Sequence, residues 1–257
     1  MKVLVSGKSG CGKSTISAML GKYLAGKGYR VLIIDADESN PGLYRMLGLP
    51  KVKTLAEHLG GKKRAKILMA AEGQGELDEE LFDWTLDEIP EEILARKGNL
   101  TVLTIGKIEE AEEGCACPYG FLAKKLLEGI KLKDDEVIIV DTEAGIEHFG
   151  RGVDRHVDVV IDVAEPSAES IELSKKIKAL SESLGLRHVL VLNKALPGVE
   201  EELPVKPDVV IPFDGNFILD SLKGKEVEPI EQIEELWRKI ETGLSISSAR
   251  GPQREAP

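Results

Sequence analysis

The chain has 257 residues, of which 42% are hydrophobic and 31% charged, and a formal net charge of −11. That length suits one large domain with its own core, and no run of about 18 apolar residues offers a membrane span. The acidic balance opposes a primary role in gripping nucleic acid, which needs a positive face.

Residues 2–6 read as a short buried strand, followed by Gly7-Lys8-Ser9-Gly10-Cys11-Gly12-Lys13-Ser14. Ile16, Met19, Leu20, Tyr23 and Leu24 then recur at helical spacing, and Gly26 and Gly28 end that helix. Residues 31–34 form a second strand closed by Asp35-Ala36-Asp37, which completes a right-handed βαβ unit of a parallel sheet. Residues 54–99 are charged and mostly helical in composition, with Lys62-Lys63-Arg64 read as a solvated loop. Further strands are expected at 100–105, Glu136–Thr142, 157–164, 188–193 and Val209–Pro212. Ile177, Leu180 and Leu184 mark a helix between two of them. The predicted fold is α/β, a mostly parallel central sheet with helices on both faces. The segment 230–240 is a core-packing helix with Ile233 and Trp237 on one face. Its polar side carries Glu231, Glu234 and Glu235 where a membrane-surface helix would carry Lys and Arg, so stable membrane association is not expected. The domain is placed at 1–243, with 244–257 as a polar, disordered tail. The first residues lack the layout of a secretory signal, which makes a cytoplasmic location the expectation.

The run from Gly7 to Ser14 has the G-x-x-x-x-G-K-S form and lies between a strand and a helix, where a phosphate loop must lie. Gly7, Gly10 and Gly12 let the backbone curl so that its N–H groups point at phosphate oxygens. Cys11 is read as a small residue within the loop. The helix start adds its positive dipole end. Lys13 is assigned to the β- and γ-phosphates of ATP, the Ser14 hydroxyl to Mg²⁺ and Thr15 to the α-phosphate. Lys8 adds a second lysine early in the loop. This G-K-x-G-x-G-K-S form resembles the phosphate loop of the MinD/ParA group of ATPases. The resemblance implies that Lys8 crosses a homodimer interface to the partner's nucleotide, and extra cations there would neutralise two facing triphosphates.

Asp35 and Asp37 end the second strand at the sheet edge where ligands bind. Asp37 is the candidate for orienting the attacking water and Asp35 for the Mg²⁺ shell, since phosphoryl transfer needs mainly positioning and electrostatics. The apolar strand ending in Asp141 offers a second Mg²⁺ carboxylate, and the Gly145 N–H is placed to sense the γ-phosphate. Asn193-Lys194 follows another apolar strand, and the Asn193 side chain can donate and accept at a purine edge. Leu196 stands where a GTPase would usually place an aspartate, which favours adenine, hence ATP or ADP. Pro212, Phe213 and Asp214 are expected to flank the base.

Three cysteines, Cys11, Cys115 and Cys117, are no disulfide framework. Gly114-Cys115-Ala116-Cys117-Pro118 precedes a helical stretch at 119–130, and proline is favoured in a first helical turn. Cys117 is therefore expected at a helix N-terminus, where the dipole favours the thiolate. Residues two apart in an extended segment point to one side, so one chain can offer two thiolates to one ion. A symmetric dimer would supply four, which suits tetrahedral zinc or an Fe–S cluster, while a planar set suits nickel.

With Asp35-Ala36-Asp37-Glu38-Ser39-Asn40, the C-x-C pair and Ala144-Gly145-Ile146-Glu147-His148-Phe149-Gly150-Arg151-Gly152, the chain resembles the CooC-type ATPases. These are accessory proteins for nickel insertion into carbon monoxide dehydrogenase, and the resemblance covers most of residues 1–240. It departs at Ser9, where glycine is usual, and around 60–98. The resemblance implies a homodimer that closes on ATP, holds Ni²⁺ or Zn²⁺ between C-x-C pairs and releases it to the carbon monoxide dehydrogenase apo-enzyme. Glu147 and His148 are weighed as relay or transient ligands against a structural role. Two further readings stand beside this one: a MinD/ParA-like positioning ATPase, and an Fe–S electron-donor ATPase like nitrogenase iron protein.

Overall fold

Strand β1 (Lys2–Gly7) sends Val3 and Val5 to one layer of helices and Leu4 to the other. The same two-residue period recurs in β2 (Arg30–Ala36), where Val31 and Ile33 oppose Leu32 and Ile34, and in β5 (Glu136–Thr142), where Val137 and Ile139 oppose Ile138 and Val140. Side chains alternate faces along a strand, so unbroken apolar runs of this kind need cover on both sides. The structure is a computed structural model that describes residues 1–40, 42–74, 82–108, 115–146, 148–149 and 152–247.

The remaining strands are β3 (Ala95–Lys97), β4 (Leu100–Thr104), β6 (Val159–Ala164), β7 (Arg187–Ala195) and β8 (Val209–Pro212). They form one eight-stranded sheet in the order β3-β4-β2-β5-β1-β6-β7-β8. Every neighbouring pair is parallel except β3 with β4. The mostly parallel α/β sheet expected from the sequence is what forms. Helices α1 (Lys13–Gly26) and α8 (Glu231–Ser247) cover one face; α4 (Lys62–Gln74), α5 (Cys117–Gly129) and α6 (Ala168–Ser183) cover the other. The chain passes from β1 to β2 on one side of it and later from β5 across β1 to β6 on the other, and that reversal opens a crevice at the carboxyl ends of the strands.

The structure corrects three local expectations. Ala95–Lys97 is a strand inside the segment read as mostly helical. Lys62, Lys63 and Arg64 form the first turn of α4 rather than a loop. Cations there oppose the helix dipole, and Lys62 gains compensation by standing 5.1 Å above the Tyr119 ring. Helix α5 begins at Cys117, ahead of residue 119. Helix α8 runs to Ser247, and residues 248–257 lie outside the described residues. Ile233, Leu236, Trp237 and Ile240 of that helix are buried, as their spacing predicts.

Two short helices, α2 (Leu43–Met46) and α3 (Leu55–His58), follow β2. Thr54 and Glu57 close a capping box at the start of α3. Helix α7 (Gly215–Leu222) lies between β8 and α8. Among the described residues no helix is long and apolar enough to cross a membrane.

Candidate functional site

The loop between β1 and α1 is shaped by close approach. A Cβ on Gly7, at φ +144°, would lie 2.2 Å from the Val163 carbonyl oxygen. One on Gly12, at φ +105°, would lie 2.3 Å from Asn193 Nδ2. Neither position admits a side chain, so the glycines there answer both to backbone angle and to space. Gly10 also has positive φ, at 76°. Lys13 is 6% exposed, and its ammonium donates to the loop's own carbonyls, Gly7 O at 3.3 Å and Lys8 O at 3.1 Å. The lysine thus curls over the cradle that a phosphate would fill. Cys11 is buried within the loop, and burial pushes its thiol up to about 11, which makes it a small packing residue rather than a nucleophile.

Glu165, at the end of β6, stands 3.4 Å from Lys8 Nζ and 3.5 Å from Lys194 Nζ. In this state it holds Lys8 within its own chain. Such partly exposed pairs contribute about 1 kcal/mol or less. Replacing Glu165 with glutamine is expected to leave the melting temperature within about 4 °C of wild type while tightening ADP binding about two- to five-fold, because two cations are freed. Calorimetric titration measures this, and unchanged or weaker ADP binding would contradict it.

Asp35 and Asp141 are register partners in the β2/β5 ladder, each 1% exposed. Asp141 Oδ1 accepts from Ser17 Oγ at 3.0 Å, and its Oδ2 has no hydrogen-bond partner among the described residues. Burial pushes Asp141 up to about 6 despite the neighbouring Ser14 and Ser17 hydroxyls. Burial likewise pushes Asp35 up to about 7 although the Lys107 ammonium pulls the other way. Lys107 Nζ lies 2.8 Å from the Asp35 carboxylate and also donates to the carbonyls of Asp37 and Asn40. Asp37 Oδ1 accepts from Ser39 N, Ser39 Oγ and Asn40 N, which folds the loop after β2 into a tight turn. Asn40 Nδ2 reaches Ser14 Oγ at 3.4 Å. The orphaned Asp141 oxygen, the Ser14 hydroxyl and an adjacent carboxylate form a hard oxygen set that fits Mg²⁺.

An unfolded aspartate protonates near 3.8, so folded Asp35 binds its proton the more tightly. Its contribution to stability is therefore fully present below about pH 4 and is lost as pH rises through about 7. Accordingly, without metal or nucleotide, the melting temperature of Asp35→Asn should climb relative to wild type between about pH 5 and about pH 8. A pH-independent difference between the two proteins would contradict this.

Gly145 N donates to Gly7 O at 3.1 Å, and Ser6 Oγ donates to Gly145 O at 3.3 Å, so the loop after β5 is stapled to the phosphate loop. Thr15, Asn193, Lys194, Pro212, Phe213 and Asp214 all line one cleft of about 330 Å³, with Ile16 and Met19 beneath. The structure thus brings the residues expected around a base together beside Gly12. Asn193 Nδ2, however, donates to Cys11 O at 2.7 Å and props the phosphate loop. Asp214 caps α7, accepting from Asn216 N. Lys194, at φ 57°, donates to Gly10 O at 2.5 Å.

Cys115 and Cys117 are both exposed and are joined as a disulfide with Cα atoms 5.4 Å apart. Cys117 is the first residue of α5, and its N–H donates to Cys115 Sγ at 3.1 Å. Cys117 thus stands at the helix N-terminus, where the sequence placed it. Gly114, Glu147, Gly150 and Arg151 lie outside the described residues. His148 is buried against Phe149, with ring centroids 4.6 Å apart.

Lys107, Ser17 and Glu165 escaped the sequence reading. Lys107 and Glu165 each follow a strand that neighbours β2 or β1, so a charge at those strand ends was the available signal.

Residues 2–245 match the family of CobQ/CobB/MinD/ParA nucleotide-binding domains. The chain is 48% identical over 237 residues to an uncharacterized ATP-binding protein of Methanocaldococcus jannaschii, covering 88% of this chain and 94% of that one. It is 34% identical over 222 residues to the carbon monoxide dehydrogenase accessory protein CooC of Rhodospirillum rubrum, covering 86% and 79%. The septum site-determining protein MinD of Pyrococcus horikoshii, solved with Mg-ADP, superposes with a TM-score of 0.65 at 20% identity, covering 95% of this chain and 97% of that one. At that identity the likeness concerns the fold alone.

Proposed function

The chain belongs to the CobQ/CobB/MinD/ParA nucleotide-binding domain family and is a P-loop ATPase, and on that premise we propose that it is a metallochaperone whose ATP cycle loads and releases a nickel ion. The observation that carries this reading is the exposed pair Cys115 and Cys117, two sulfurs brought together at a helix start in a chain 34% identical to CooC. Reduction of the disulfide returns two thiolate donors. Two are half of a four-ligand site, and a two-fold axis between two chains supplies the rest. Nickel or zinc is then the cargo, and the recipient is a carbon monoxide dehydrogenase apo-enzyme in the cytoplasm.

In the nucleotide cycle, Lys13 gives up its carbonyl partners to the β- and γ-phosphates, and Thr15 meets the α-phosphate. Ser14, Asp141 and Asp35 would hold Mg²⁺, which would supply charge neutralisation to the transferring phosphoryl group. Asp37 orients the attacking water, and Gly145 exchanges Gly7 O for the γ-phosphate. Lys8, released from Glu165, reaches the partner's nucleotide across the homodimer. The adenine lies in the cleft of Asn193, Lys194, Pro212, Phe213 and Asp214.

Elemental analysis of size-separated, reduced protein tests the reading. With Ni²⁺ and ADP or a non-hydrolysable ATP analogue, one ion per dimer is expected. Protein that elutes without nickel under all these conditions would sink it.

A further inference from the structure

The nucleotide loops and the cysteine pair are joined by a short chain of contacts through residues 105–108. Ile105 N donates to Asp35 O at 3.0 Å and Ile108 N to Glu38 O at 3.1 Å. Between them, the Lys107 ammonium grips the Asp35 carboxylate and the carbonyls of Asp37 and Asn40. Its side chain is 10% exposed. The loop after β2 and the segment 105–108 are therefore held as one body.

On its other side that segment meets Tyr119. The Tyr119 hydroxyl donates to Lys107 O at 3.3 Å. Its ring packs against Gly106, where a Cβ would come within 2.6 Å of it. Tyr119 is 6% exposed and belongs to the first turn of α5, whose Cys117 N–H holds Cys115 Sγ. A shift of residues 105–108 therefore bears on the first turn of α5, where the cysteines lie.

We propose that Lys107 and Tyr119 are coupling residues that transmit occupancy of the phosphate site to the Cys115/Cys117 pair. The driving difference is electrostatic. In the empty site Lys107 is the cation that stands against Asp35, at 2.8 Å. A divalent ion at Ser14 and Asp141 places a second cation beside Asp35, repels the Lys107 ammonium and competes with Asn40 for the Ser14 hydroxyl. The two states of the site thus favour different positions of the strapped segment, which is the requirement for coupling. This rests on the reading of the cysteine pair as the cargo site, and it makes both residues positioning residues rather than catalytic ones.

The test is the alkylation rate of reduced Cys115 and Cys117 by iodoacetamide, followed by mass spectrometry without metal cargo. In wild type, Mg²⁺ with ADP or a non-hydrolysable ATP analogue should change that rate about five-fold or more. Tyr119→Phe should bring the ratio to about one, since it deletes one bond while keeping the ring and, to within about twofold, ADP affinity. Lys107→Gln, read the same way, probes the opposite end. A wild-type ratio of one, or a full ratio in both variants, overturns the proposal. Nickel stoichiometry separates the two readings. Protein that holds no nickel yet keeps the nucleotide-dependent rate sinks the cargo assignment and supports the link. Protein that holds nickel with a nucleotide-independent rate sinks the link alone.

Discussion

Lys13→Gln is expected to lower the turnover number for ATP hydrolysis about a thousandfold, the scale seen when one preorganised donor to a developing charge is lost. The reason lies in what Lys13 does in the empty site. Its ammonium is buried and, among the described residues, donates to two carbonyls of its own loop. That arrangement keeps a full positive charge desolvated and aimed where the transferring phosphoryl group must lie. Glutamine has amide donors for the same carbonyls, so the loop can keep its shape. The melting temperature should therefore stay within about 4 °C of wild type, equivalent to about 1–2 kcal/mol in a chain of this size. Phosphate release measures the first quantity and thermal melts the second. Activity within about tenfold of wild type would show that Lys13 supplies packing and little field.

Cys115→Ser should remove nickel from the purified protein altogether, taking one ion per dimer to none. A hydroxyl ordinarily stays protonated near neutral pH and is a hard ligand, whereas a thiolate is soft and charged. The N–H of Cys117 points at that sulfur, so the substitution removes the donor atom nearest the helix start. Cys117→Ser should weaken retention as well, while ADP affinity in both variants stays at the wild-type value. Nickel retained by Cys115→Ser at one ion per dimer would place the cargo elsewhere.

The phosphate loop was legible because its chemistry demands contiguous residues: three glycines, a lysine and a serine must follow one another between a strand and a helix. The core helix α8 was legible from the spacing of Ile233 and Trp237. Residues whose roles depend on strand order were not. Lys107 reaches Asp35 only because β4 lies beside β2, an adjacency that no local pattern records. Asn193 illustrates a subtler limit. Its residue type suggested a base contact, but which partner it takes is decided by the bare backbone of Gly12 and the carbonyl of Cys11 beside it. The cysteine spacing announced a pair, yet the donor that distinguishes Cys115 from Cys117 is a backbone N–H, silent in any sequence. β3 left no signal because only Ala95 of its three residues is buried.

That small antiparallel strand governs how copies of the chain are able to meet. One border of the sheet ends in Ala95–Lys97, whose Arg96 and Lys97 are exposed cations. The opposite border ends in Val209–Pro212, where the proline has no N–H to offer a neighbour. A short charged rim on one side and a proline on the other discourage a further strand from adding to the ladder. Growth into filaments by sheet extension is thereby disfavoured at both flanks.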